Sequence, residues 1–419
     1  MNIFSAKIKL IKKKLFPFYK SKELNLVFDI LEDAKPEEKQ VAMFVGGCVR
    51  KHLDKHEVDD IDIATIFTPE EIKNKFKKTK EVRVVETGVE HGTVTLLLKD
   101  LKLEITTLRK DITTDGRHAE VAFTNDWKED SERRDFTINA IYMDRKGKIF
   151  DPQSGVNDLK NKIIKFIGDP HKRIEEDYLR IIRFIRFNLY YYTEMEQSNL
   201  DAIKLNLNGI KYLSKERVLQ ELFKILNLQN FIKINNSKDL KDIFCLIFPE
   251  FKYLDRLDKF EFLKKHFEIN TDFILAILLI DETNNHEYFC HKYKTSNTIK
   301  NKLELLSKCL IDKNKDKNYF TNNLKKNIYF MGKNVLSDLN ALLFLIDKKI
   351  TLQKYSKIKQ NIDKIFIPKF PYDGKYLITQ GLSEGKKIGH VLEKLENMWI
   401  KNNYTLSEQS VVEMIKNAK

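Results

Sequence analysis

The sequence predicts an α+β fold, a mixed-sheet head followed by an all-helical remainder. Three observations lead there. Residues 40 to 150 alternate apolar and polar side chains and are rich in β-branched types, the period of half-buried strands. Beyond about residue 160 the apolar residues recur at helical spacing and long strand patterns disappear. The charge changes sign at the same place: residues 23–160 hold 23 basic and 29 acidic side chains, residues 161–419 hold 45 and 32.

Within the head, Val41–Val45, Asp60–Ile66, Val94–Leu98, Leu101–Thr107 and Ile138–Met143 read as strands. Pro69–Lys78 reads as an intervening helix, and the neighbourhood of Asp100 as a tight hairpin turn. In the remainder, Ile174–Leu189, Lys215–Leu226, Asp272–Ile280, Ile299–Leu310 and Leu336–Ile346 have helical spacing. The Lys-, Asn- and Asp-rich stretch Asp312–Asn327 reads as a surface loop or linker. No repeat of fixed period is present.

A chain of 419 residues has room for two to four domains. Its longest apolar run, Phe273–Ile280, is too short to span a bilayer, so no membrane helix is expected. The net charge of +14 includes seven lysines and no acid in residues 1–22. An acidic head joined to a basic remainder suits a metal-binding unit and a polyanion-binding one, although a general Lys and Asn bias supplies part of the excess. Cys48, Cys245, Cys290 and Cys309 are far apart without metal spacing, which argues against a disulfide framework or structural zinc and for a reducing cytoplasm. The first 22 residues lack arginine and an apolar core and read as a basic extension, with organelle targeting the alternative.

Five segments carry chemistry. Gly46-Gly47-Cys48-Val49-Arg50 places two glycines after a strand, where the backbone can approach a phosphate. Asp60-Ile61-Asp62 follows, with carboxylates at i and i+2 of a strand and hence on one face. Two such carboxylates can bridge hard cations in two-metal phosphoryl transfer. A bare Asp-x-Asp is usually a solvated strand end; the upstream Gly-Gly-x-Val-Arg strengthens the functional reading. In the second segment, His91-Gly92-Thr93-Val94-Thr95 precedes Glu104, which either faces solvent or joins the Asp pair as a third carboxylate. The third is Arg133-Arg134-Asp135-Phe136-Thr137-Ile138-Asn139. Its arginines could clamp a triphosphate, and Asp135 and Asn139 could hold a ribose, against the plainer reading of a charged helix start. In the fourth, Glu176-Asp177-Tyr178-Leu179-Arg180, on a helix continuing through Arg183, the i, i+3 spacing puts Asp177 and Arg180 on one face. By itself that is best read as an ion pair. The fifth, Ser214-Lys215-Glu216-Arg217 to Glu221, reads as a helix start whose charges brace the preceding helix.

In this order, over Val41 to Leu226, the five segments resemble the class II tRNA nucleotidyltransferase and bacterial poly(A) polymerase family. The segment from Gly374-Lys375-Tyr376-Leu377 through Gly381, Gly385, Gly389 and Trp399 looks like that family's tail. The resemblance implies a polymerase-β-like head at 23–158 and a helical neck at 159–230 that recognises the base. A helical body follows at 231–311 and a tRNA-binding tail at 312–419, with 1–22 as the extension. It also implies template-independent addition of CCA to tRNA 3′ ends from CTP and ATP, with two magnesium ions (Mg2+) on Asp60 and Asp62. Nucleotide contacts would come from Gly46, Gly47, Arg50, Arg133, Arg134, Asp135, Asn139, Glu176, Asp177, Arg180 and Arg183. Asp177 and Arg180 would select the base: cytosine and adenine both offer an exocyclic amine beside a ring-nitrogen acceptor, whereas uracil and guanine offer the reverse. The family usually has Asp after the first Val-Arg; here that position is Lys51.

Among relatives, the His-Gly-Thr-Val-Thr form is similar to the CCA-adding side, since poly(A) polymerases carry an arginine-rich segment there. The full-length Asp111–Asn125 stretch, with Asp115-Gly116-Arg117-His118, implies the capacity to add A, which CC-adding enzymes lack. Enzymes adding A alone share these motifs. An inactive RNA-binding scaffold would be marked by loss of a metal carboxylate, and both are present. No GxxxxGK[ST] loop or His/Cys cluster supports a P-loop enzyme or zinc hydrolase.

Overall fold

The computed structural model describes residues 17–33, 40–99, 101–114, 119–263 and 270–418. These fall in two compact units, one ending at Pro249 and the other beginning at Glu250.

The first unit is built on a seven-stranded sheet of order β3-β4-β5-β2-β1-β8-β9. Its strands are β1 (Ala42–Val45), β2 (Ile61–Thr65), β3 (Arg83–Gly88), β4 (Thr93–Leu98), β5 (Leu101–Thr107), β8 (Tyr142–Met143) and β9 (Ile149–Phe150). Only β2 and β5 pair in parallel; the other neighbours are antiparallel. All four residues of β1 are buried, as a central strand requires. The parallel register sets Ile61 opposite Leu103, Asp62 opposite Glu104 and Ile63 opposite Ile105. Burying these alternate apolar residues fixes that register, because a one-residue slip would turn them all to the opposite face. The β4–β5 hairpin closes with Leu98 opposite Leu101, and Lys99 adopts φ 45°, so the tight turn is present; Asp100 itself lies outside the described residues.

Between β2 and β3 the Pro69–Phe76 helix starts on a reciprocal cap: Thr68 accepts from the Glu71 N–H and the Glu71 carboxylate accepts from the Thr68 N–H. Pro69 needs no partner at that first turn, and Ile72 and Phe76 are buried. A second sheet pairs β6 (Arg109–Thr114) with β7 (Ala119–Phe123). Residues 115–118, at the centre of the Asp111–Asn125 stretch, lie outside the described residues, as do residues 1–16 of the basic extension.

The expected strand Ile138–Met143 is corrected. Thr137–Asn139 forms a 3-10 turn and only Tyr142–Met143 pairs in the sheet. Ile138, Ala140 and Ile141 are fully buried, so an enclosed turn produced the same apolar run as a strand.

Helices Pro170–Glu176, Leu179–Tyr191, Gln197–Asn206, Lys215–Leu226 and Lys238–Ile247 complete this unit. The Leu179–Tyr191 helix buries Leu179, Ile181, Ile182, Phe184, Ile185, Phe187 and Leu189, and packs on Lys215–Leu226. Each such side chain contributes about 1.5–3 kcal/mol on leaving water.

The second unit is helical in its longer elements: Thr271–Leu279, Asn285–Tyr293, Asn297–Lys315, Leu324–Met331, Lys333–Ile346, Leu352–Lys364, Gly374–Thr379, Lys386–Lys401 and Glu408–Lys416. The expected linker Asp312–Asn327 is one only in its middle half, residues 316–323. The preceding helix runs to Lys315 and the next starts at Leu324, because Leu310, Tyr319, Phe320 and Leu324 provide buried anchors that its polar composition hides. The last three helices enclose Leu377, Leu382, Val391, Leu395, Val411 and Ile415.

Candidate active site

The turn from β1 into the Gly47–Leu53 helix passes through Gly46 at φ 70° and ψ −122°, a conformation that strains any L side chain. A Cβ on Gly47 would meet nothing within 4 Å, so the outer side of this turn is open. Cys48 lies fully buried beneath it, its thiol directed at the carbonyls of Val45 (3.2 Å) and Asp62 (3.5 Å) and pushed up to about 12 by burial. It packs the turn against β2 and has no free thiolate to offer.

Asp60 sits exposed at the bend entering β2, and Asp62 lies half-buried one residue inside the strand. Burial pushes the Asp62 carboxyl up to about 6; the charges of Asp60 and Glu104 push the same way, against Arg134 and Arg50. The three acids thus act on one another. Glu104 is directly across the ladder from Asp62, while its own carboxylate pairs with Lys102 at 3.1 Å. Among the described residues no three acids, cysteines or histidines converge into a closed metal cage. A hard oxygen pair with mutual repulsion and an open side fits a divalent cation completed by substrate phosphates and water, the usual mode of magnesium. Lys51, where an acid is usual, pairs with Asp59 beside this pair.

The third segment supplies two networks. Asp135 is buried: one oxygen accepts from the Phe136 N–H and Asn139 Nδ2 (2.9 Å each), the other from Arg183 Nε at 2.7 Å. Burial would raise its pKa, but the Arg183 guanidinium, the Asn139 hydrogen bond and Arg180 hold it at about 2. Asn139 accepts from Arg50, whose guanidinium lies 4.6 Å from the centre of the Phe187 ring. The glycine turn is therefore connected to the Leu179–Tyr191 helix through Arg50, Asn139, Asp135 and Arg183. Tyr191 adds a second link, donating to Asp54 at 2.6 Å.

The other network centres on Asp130, a residue the sequence reading did not single out. Its fully buried carboxylate accepts from Arg133 Nε (2.8 Å), from Arg134 Nε (3.2 Å) and Nη2 (3.0 Å), and from the Tyr142 hydroxyl (2.7 Å). Although burial opposes ionisation, the two guanidiniums and the phenol hold Asp130 well below the usual carboxylate range. Both arginines expected to clamp a triphosphate are thus anchored from behind. Only the pairing of two arginines with an acid three and four positions upstream hinted at this.

The fourth segment requires a correction. Asp177 does not share a helix with Arg180: at φ −156° and ψ 103° it is extended, and it separates Pro170–Glu176 from Leu179–Tyr191. The two side chains do not pair. Asp177 accepts from the Leu179 N–H (3.1 Å) and from Arg217 Nη2 (2.8 Å). Arg180 pairs with Glu176, which also holds Arg173 at 2.8 Å, and donates to the Arg173 carbonyl at 2.7 Å. The reason is local: the Asp177 side chain caps the next helix and so cannot continue the previous one. The fifth segment braces its neighbour as expected, with Arg217 on Asp177, Glu221 on Arg186 at 2.8 Å, and Ser214 capping the Arg217 N–H.

This geometry can be set beside known proteins. The Poly A polymerase head domain matches residues 42–165. The chain is 33% identical to a protein named CCA tRNA nucleotidyltransferase 1, mitochondrial, of Danio rerio, over 88% of this chain and 85% of that one. It is 32% identical to its namesake in Homo sapiens, covering 91% and 87%. It is also 32% identical to the CCA-adding enzyme of Lactobacillus helveticus, covering 92% and 94%. The fold is similar to that of the Bacillus stearothermophilus CCA-adding enzyme in complex with CTP, with a TM-score of 0.72, 23% identity, and 95% and 98% of the two chains covered. The Thermotoga maritima CCA-adding enzyme complexed with a tRNA superposes with a TM-score of 0.63 at 23% identity, covering 98% of each chain.

Proposed function

Because the chain belongs to the CCA tRNA nucleotidyltransferase family, we propose that it adds CCA to tRNA 3′ ends from CTP and ATP, with Asp60 and Asp62 as the metal-binding pair. One observation carries the assignment: an exposed and a half-buried carboxylate, the latter lifted by burial and then by the charges of Asp60 and Glu104, stand beside an open glycine turn. Two magnesium ions on Asp60 and Asp62 would supply activation of the attacking hydroxyl and charge neutralisation on the departing pyrophosphate. The chemistry left to the chain is binding and orientation.

Gly46 and Gly47 let the triphosphate approach the backbone, and Arg50 is held by Asn139 at the edge of that turn. Arg133 and Arg134, steadied by Asp130, direct positive charge toward the phosphates. Asp135, Asn139 and Arg183 hold the sugar side in register with the helix that carries the selector. Asp177 would accept from the exocyclic amine of cytosine or adenine while Arg180 donates to the neighbouring ring nitrogen; uracil and guanine would leave both groups unpaired. Glu176 orients Arg180. Glu104 serves as the acid that tunes Asp62 across the ladder.

We assign residues 23–158 as head, 159–230 as neck, 231–311 as body and 312–419 as tail. No described helix is long and apolar enough to cross a membrane. The site assigned to the enzyme is the cytoplasm, with an organelle the alternative that the mitochondrial relatives name.

The test is incubation of purified protein with tRNA ending at its discriminator base, with CTP and ATP supplied separately and together. Addition of C, C and A in that order is expected. Addition of A alone, of two C only, or of a long A tract would replace the reading with an A-adding enzyme, a CC-adding enzyme or a poly(A) polymerase. No addition at all would leave an RNA-binding scaffold.

A further inference from the structure

Asp59, the acid that precedes the proposed metal-binding pair, has no part in the reaction as described. It stands near the end of the loop that runs from the Gly47–Leu53 helix to β2, and its partner is Lys51, in the last turn of that helix. The start of the loop is tied down: the Arg50 carbonyl accepts from the Asp54 N–H at 3.0 Å, and the Lys51 carbonyl from the His56 N–H at 2.8 Å. One turn earlier in the same helix, the Cys48 thiol meets the Asp62 carbonyl at 3.5 Å. The helix that carries Lys51 is therefore seated on the strand that carries Asp62, and the acid it pairs with is the chain neighbour of Asp60.

The Asp59 side chain is 72% exposed and that of Lys51 30%, and an ion pair so open to water contributes little to folding. Its charges bear instead on the carboxylates beside it. Consecutive Cα atoms are ~3.8 Å apart, so the Asp59 and Asp60 carboxyl groups lie no more than roughly 9 Å from one another, about one Debye length. Either charge alone would alter cation affinity there, and in opposite directions. An unpaired Lys51 ammonium repels an incoming cation, whereas an unpaired Asp59 carboxylate attracts it. Joined, the two present almost no net charge. That suits an ion such as magnesium, which keeps several waters and takes only one or two protein carboxylates.

We infer that Lys51 and Asp59 are positioning residues that set how tightly Asp60 and Asp62 hold a divalent cation. Asp59 cancels the repulsion of the lysine, and Lys51 keeps Asp59 from serving as a third ligand carboxylate. The inference rests on the proposed metal role of Asp60 and Asp62 and deepens it.

The experiment titrates Mn2+ alone into the full-length protein, without nucleotide or tRNA, and reads the free ion by electron paramagnetic resonance. Asp59→Asn, Lys51→Met and the exchanged pair Lys51→Asp/Asp59→Lys are compared with the parent. The control is Glu86→Gln, which breaks the comparably exposed Lys73–Glu86 pair on the edge strand β3. Thermal melting confirms that every variant folds. Asp59→Asn should weaken Mn2+ binding about three- to fivefold, and Lys51→Met should tighten it by a similar factor. Both shifts should shrink in about 0.5 M salt, and the exchanged pair should return to the parental affinity. A merely structural brace would move both single variants the same way. Shifts of one sign, no shift in either, or an equal effect in the control overturn the inference, as does an exchanged pair no closer to the parent than the single variants. Failure of the metal reading itself would appear separately, as undiminished Mn2+ binding by Asp60→Ala/Asp62→Ala.

Discussion

Replacing Asp135 by Asn removes a charge while keeping the shape of the side chain. The carboxylate is 8% exposed and its pKa is moved from 3.8 to about 2, chiefly by Arg183 against the penalty of burial. A displacement of this size corresponds to roughly 2–3 kcal/mol of stability. Because the folded pKa is depressed, that contribution is complete above the unfolded value near 4 and disappears as pH falls through about 2. About half should remain at pH 3. The variant should therefore be roughly 2–3 kcal/mol less stable than the parent at pH 7, with the gap closing as both are acidified. Urea unfolding followed by Trp127 fluorescence, in a Trp399→Phe background that silences the only other tryptophan, reports on the first unit. A gap under about 0.5 kcal/mol at pH 7, or one that stays constant down to pH 3, would refute the account of the Asp135–Arg183 link.

Asp60→Ala or Asp62→Ala should lower nucleotide incorporation by about a thousandfold while tRNA binding survives; substantial residual activity in either would remove the metal assignment. Arg180→Ala should reduce discrimination of CTP and ATP against UTP and GTP by about a hundredfold, measured as ratios of kcat/KM, and unchanged ratios would end the selector role. Gly209→Ala would place a Cβ 2.0 Å from the ring of Tyr178, the residue that follows Asp177 in the chain. A lower melting temperature, from about 1–3 kcal/mol of overpacking, and a raised KM for CTP and ATP are expected; an unaffected KM would uncouple that ring from the site. Shortening the Asp111–Asn125 segment should reduce A addition more than C addition, and equal losses would assign it no particular part in adding A.

Strands and helices whose burial follows their own period were legible in the sequence. Ile61 and Ile63, or Leu103 and Ile105, alternate in sequence because one face is packed. Lys215–Leu226 reads correctly end to end because Ser214 caps it and its apolar stripe is continuous. Edge strand β3 was missed because its residues are exposed or half-buried, leaving no alternation to detect. The break at Asp177 was invisible for the opposite reason: Ile174, Ile181, Ile182 and Ile185 all point to the core, so helical periodicity runs through a non-helical residue. In the site, the grouping of Asp60, Asp62, Arg50, Asn139, Asp135 and Arg183 could be anticipated from their motifs. The pairings could not, since contacts such as Arg183 with Asp135 span 48 positions and depend on packing. Asp130, on the Trp127–Glu132 helix, escaped notice because its main neutral partner, Tyr142, arrives from strand β8.

The interruption at Asp177 would make the proposed selector a caliper rather than a ruler. On a continuous helix the acceptor and donor jaws would stand at a spacing dictated by helical rise, suited to one ring size. Here each jaw has its own abutment, Arg217 behind the carboxylate and Glu176 behind the guanidinium, and the joint between them is extended backbone. A gap of that kind can be reset by a small turn of one helix against the other. Drift in base preference is therefore expected on substitution of the abutments, Arg217 and Glu176.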